Sequence, residues 1–208
     1  MEIDFLPSAL RDEIISGHLR DHLPQLGLKE IKPRIWIDDS QPPVRRLFEL
    51  QLLKGAGIKA CWGFSLDFVP HISGGKMRWH RSDKAAMLDV IVDPKKLLQA
   101  TYIHGRGQLV SDLRRMLPEA AAKAKECWER GRSYQGMLDI IRETHERHTN
   151  CFDYRNYTQM PLAFALLSAK TGALETAVQE LDHYITTHSL DDDQAFKLRK
   201  LGRDYAGI

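Results

Sequence analysis

General acid–base chemistry needs carboxylates and imidazoles that converge, and one stretch of this chain carries them at strand spacing. Within residues 59–71, Ser65, Asp67 and His71 share a parity; within residues 87–93, Asp89 and Asp93 share another. If those strands align, Asp67, His71 and Asp89 gather over a floor of Gly63 and Ser65, and His80 joins from the segment between. The chemistry expected of such a group is hydrolase-like, with or without a metal. Polar alternation is also the ordinary solvent face of an antiparallel sheet, and that plainer reading carries more weight.

Metal ligation has a second candidate set. His145 and His148 fall three apart on one helix face, with Cys151 just beyond, which suits the nitrogen and sulfur ligands of zinc. No His-Glu-x-x-His motif accompanies them, and a structural site needs a fourth ligand. Histidines near a helix end also complement its dipole, so the expectation is no metal and no cofactor.

Two segments have binding chemistry. Residues 76–84 (KMRWHRSDK) interleave Lys76, Arg78, Arg81 and Lys84 with Trp79 and His80, a pattern able to track phosphates and stack a base. Four positive charges on a turn are equally a solvated hairpin, and no neighbouring segment extends the patch. The run Phe152-Asp153-Tyr154-Arg155-Asn156-Tyr157 holds residue types enriched at protein interfaces, so Tyr154, Arg155 and Tyr157 are the leading binding residues. A weaker lead is His104-Gly-Arg-Gly107, whose glycines precede a helix without the spacing of a phosphate loop. The chain has no Gly-x-Ser-x-Gly elbow, no Walker A sequence, no dinucleotide fingerprint and no Cys-x-x-Cys pair.

The elements that must position these residues change character near residue 97. Before it apolar residues mostly alternate; after it they recur at helical spacing. A helix is expected over residues 7–23, opened by Pro7 and stopped by Pro24, with Leu6, Leu10, Ile14, Leu19 and Leu23 inward. Strands follow at 34–38, 45–54, 59–71 and 87–93, and residues 77–80 are placed to pair back. The segment 45–54 could also line a helix; the glycines at 55 and 57 before a clear strand favour a hairpin. Beyond residue 97, helices are expected over 109–130 with a break or kink at Pro118, over 133–148, 161–170 and 174–187, and over 191–202. Leu174, Val178, Leu181 and Ile185 mark the inward stripe of the fourth, and the aspartates at 191–193 are helix-start chemistry.

The predicted fold is therefore α+β: an N-terminal helix, an antiparallel meander of four to five strands, then about five helices. Residues 1–208 are expected to form one compact unit, with a sheet part at 1–97, a helical part at 98–208, and Trp62, Phe64, Leu66 and Phe68 in a continuous core. No motif matches a known family closely enough to carry residues across.

Composition limits the partners. The chain has 208 residues, 43% hydrophobic and 28% charged, and its 30 basic and 28 acidic residues leave a net charge of +2. That balance argues against nucleic acid as the partner. The three cysteines, Cys61, Cys127 and Cys151, are odd in number and widely spaced, which fits a reducing cytoplasm. No charged-then-apolar leader opens the sequence, and the longest strictly apolar run is residues 162–167, so no membrane segment is expected. The leading expectation is a non-catalytic binding or protein-interaction domain whose partner is another protein. Hydrolase-like catalysis and nucleic-acid binding through residues 76–84 are the alternatives.

Overall fold

A computed structural model describes residues 6–38, 42–73, 76–92, 99–148 and 159–208, with the side chains of residues 147 and 148 outside that set. The first helix, α1 (Ser8–His22), begins after Pro7 and ends where Leu23 N–H donates to Leu19 O at 2.9 Å and Pro24 follows. Its fully buried side chains are Ile15 and Leu19, so the stripe is centred one residue past the predicted Ile14.

Six strands make the main sheet: β1 (Lys29–Lys32), β2 (Ile35–Asp38), β3 (Val44–Leu53), β4 (Gly57–Leu66), β7 (Val90–Val92) and β8 (Gln99–Thr101). The order is β1-β2-β3-β4-β7, and β8 also pairs with β4. The segment expected at 45–54 is thus strand as far as Leu53, as its alternation implies; β2 and β3 are antiparallel with Trp36 opposite Phe48. β1 was absent from the sequence reading, because Lys29-Glu-Ile-Lys32 has only one strong strand former.

β4 is shorter than predicted. It leaves the sheet after Leu66, where Val69 N–H donates to Leu66 O at 3.0 Å to close a turn, and Pro70 follows. Residue parity therefore stops at Leu66 and says nothing about Asp67 or His71. His71 instead begins β5 (His71–Ser73), which pairs antiparallel with β6 (Lys76–Arg78) as a separate two-stranded sheet. Both faces of β4 are covered, since every residue from Ala60 to Leu66 is buried. The Trp128 indole N–H donates to Gly63 O at 2.9 Å, so the small-residue side is roofed.

Helix α2 (Gly105–Arg130) runs through Pro118 without the break that was one of the two outcomes expected there. A second helix, α3 (Tyr134–His148), starts at Ser133, whose Oγ accepts from Gly136 N at 3.1 Å. Met137, Ile140, Ile141 and Thr144 are buried on α3 as their spacing predicts. The last three helices are α4 (Met160–Lys170), α5 (Leu174–Thr187) and α6 (Asp192–Ala206). Apolar on all sides, α4 is the helix on which α3, α5 and α6 pack. Asp191 caps α6 in a reciprocal box with Gln194, which confirms the aspartate run as a helix start. The α5 stripe is rotated from its predicted position: Ala177, Leu181, Tyr184 and Ile185 are buried, whereas Leu174 and Val178 are 39% and 58% exposed.

Contacts divide the chain into two units, Met1–Gly63 with Val92–Trp128, and Phe64–Ile91 with Glu129–Ile208. Each unit takes one piece from either side of residue 97. The first holds α1, β1–β3 and most of α2, with Phe48 stacked on Trp62 at 6.4 Å between ring centroids. The second holds the β5–β6 hairpin and α3–α6. Among the described residues no helix is long and apolar enough to cross a membrane.

Candidate functional site

Within the second unit, the end of β4 and the start of β7 meet around one carboxylate. Asp89 N–H donates to Phe64 O at 2.9 Å, which fixes the main chain and turns the side chain inward. Its Oδ2 accepts from Leu66 N–H at 2.6 Å and lies 2.7 Å from His80 Nε2. Both side chains are 0% exposed. Burial pushes the Asp89 carboxyl up to about 6, against the opposing pull of His80 and the Leu66 N–H. The His80 Nδ1 and Asp89 Oδ1 atoms are buried without a hydrogen-bond partner among the described residues.

His71 completes the group. Its ring lies 5.8 Å from that of His80 at 45°, and burial, then His80 and Arg78, lowers its pKa. The fold thus assembles His71, His80 and Asp89 from the predicted catalytic set. Asp67 lies in the turn beyond β4 and contributes its carbonyl, which accepts from Arg81 Nε at 3.1 Å. Asp93 lies outside the described residues. A carboxylate–imidazole pair can orient and hold a proton for a nucleophile. The Ser65 hydroxyl, one residue before the Leu66 N–H that meets Asp89, is itself buried and accepts from Met87 N–H at 3.4 Å. The His80–Asp89 pair is sealed from solvent and ties residues 80–89 to the end of β4.

The basic hairpin behaves differently. Lys76 and Arg78 are exposed on β6, and Trp79 is 37% exposed. The Arg81 guanidinium lies 4.1 Å from the Trp79 ring centroid, so the chain's own cation occupies the face a base would stack on.

The second unit also holds a cleft of about 360 Å³ walled by α3, α4 and α5. Arg142, His145 and Glu146 come from α3, Phe164 from α4, Glu180, His183 and Tyr184 from α5, and His188 from the residue just past its end. Tyr184 stacks obliquely on His188 at 4.2 Å and donates through its hydroxyl to Gln159 Oε1 at 3.4 Å. Burial raises the Tyr184 phenol to about 12, and burial with the neighbouring His183 lowers His188. Of the predicted metal residues, His145 alone is placed in this cleft; Cys151 and the side chain of His148 lie outside the described residues. Among the described residues no cluster of three His, Cys, Asp or Glu side chains is placed to hold a metal ion. Tyr154, Arg155 and Tyr157 also lie outside them, in the segment that joins α3 to α4, two of the cleft's walls.

Glu180, His183 and His188 escaped the sequence reading. The sequence reading expected no Glu-x-x-His motif, yet Glu180-Leu181-Asp182-His183 is one, and it was the signal that could have found the first two. Comparison with family models, with curated proteins and with solved structures finds no match, so the chemistry rests on this geometry.

Proposed function

We propose that this chain is a non-catalytic binding protein whose helical cleft receives a segment of another protein. The carrying observation is the cleft itself, which sets Phe164 and Tyr184 among residues of both charges, Arg142, Glu146 and Glu180, with three histidines. Aromatic area anchors a partner side chain, and the surrounding charges select it. The reading is favoured over catalysis because the His80–Asp89 pair is 0% exposed. A cytoplasmic location belongs to the same proposal, supported by the odd cysteine count and wide spacing.

A photo-crosslinking residue in place of Glu180 tests it in cells that make the protein, with the same residue at Lys125 as the comparison. The expected result is one discrete protein adduct from position 180, reduced about ten-fold or more by Phe164→Ala with unchanged thermal unfolding. Equal adduct patterns from positions 125 and 180, or adducts indifferent to Phe164→Ala, overturn the proposal.

A further inference from the structure

Lys170 ends α4 with its ammonium enclosed by aromatic rings. Nζ lies 4.2 Å from the ring centroid of Tyr205, 4.7 Å from that of Phe68 and 5.7 Å from that of Tyr134. The rings brace one another without the lysine's help. Phe68 meets Tyr134 edge-on at 5.5 Å and Tyr205 edge-on at 5.9 Å, and Tyr205 Oη donates to Phe68 O at 3.0 Å. Among the described residues no carboxylate pairs with Lys170, so ring faces are what the cation meets.

A primary ammonium is a poor guest for such a box. It carries three N–H donors that water satisfies and ring faces do not, and its burial disfavours the charged form, consistent with the lowered pKa of Lys170. A methylated ammonium has the same charge, spreads it over a larger apolar surface and has no donors to strand. Cation–π attraction then operates at lower desolvation cost. Lys170 holds the box because it is tethered beside it, at an effective concentration no dilute ligand matches.

We propose that Phe68, Tyr134 and Tyr205 form a binding site for a quaternary ammonium group, with Lys170 as its resident competitor. The box shares no residue with the cleft of the proposed function and stands or falls apart from it.

The test is a titration of the full chain with choline and with its uncharged carbon isostere, 3,3-dimethylbutan-1-ol, read from the ring-proton shifts of Tyr134 and Tyr205. Lys170→Ala and Lys170→Gln are measured beside the wild type, each checked for cooperative unfolding. Both variants are expected to bind choline about ten-fold or more tighter than the wild type does, with the isostere far weaker and Tyr205→Ala in the Lys170→Ala background abolishing binding. A short peptide bearing trimethyl-lysine, run in parallel, distinguishes a protein-borne guest from a small-molecule one. Equal binding of choline and isostere, no gain on removing Lys170, or no binding by either folded variant overturns the proposal.

Discussion

A carboxyl group sealed from water keeps its proton longer than one in an unfolded chain, and Asp89 is the case in point. Its ordinary value is 3.8 and its folded value about 6. Below the first, both states hold the proton. Between the two only the folded state does, so its advantage shrinks as pH rises through that window and is lost above about 6. In urea unfolding, the stability difference between wild type and Asp89→Asn is therefore expected to fall by on the order of 1–3 kcal/mol across this window, with asparagine favoured at the higher pH. A flat or rising difference contradicts it. The residue types were legible in advance: Asp89 and His80 stood out as titratable, and they do meet. Their enclosure was not legible, because alternation shows which residues share a face and not whether a later segment covers it. Asp67 escaped for a different reason, since the turn at Leu66–Val69 ended the parity on which its placement relied.

Among the elements, the turn between α2 and α3 is closely packed. A Cβ built on Gly131 would stand 2.2 Å from Phe64 Cζ and 2.5 Å from Cε2, and Phe64 is itself buried. Gly131→Ala is expected to cost about 1–3 kcal/mol by thermal or chemical unfolding, with much of it recovered in a Phe64→Leu background. If both single and double variants melt like wild type, the close packing is not what the turn requires. Sequence reading recovered α3 and α6 well because each carries its own start signal, Ser133 and Asp191 with Gln194. It recovered β3 through its alternation. It misplaced the α5 stripe because Leu174 and Val178 lie at helical spacing from Leu181 and Ile185, and hydrophobicity alone cannot tell a buried edge from an exposed one. The proline at 118 withholds one N–H from α2, yet the helix passes through it without a break.

For the molecule as a whole, the shift of periodicity near residue 97 divides a sheet part from a helical part within one expected unit. Contacts place the divisions after Gly63, Ile91 and Trp128. A fragment of residues 98–208 keeps α3–α6 but loses Phe68, the ring that joins Tyr134 to Tyr205. It also loses Phe64 and the β5–β6 hairpin, which belong to the same unit. That fragment is expected to be helical by circular dichroism yet to melt without a sharp transition, while the full chain melts cooperatively; a sharp melt of the fragment would refute this. Fold class was readable from periodicity because local pattern dictates element type. The partition was not, because it depends on contacts between distant pieces. The hydrogen bond from Tyr205 to Phe68 spans 137 residues. During synthesis at about 5–20 residues per second, Phe68 is added roughly 7–27 s before Tyr205. Over that interval an apolar stretch of the nascent chain waits for helices not yet made, an opening for a chaperone to bind while translation continues.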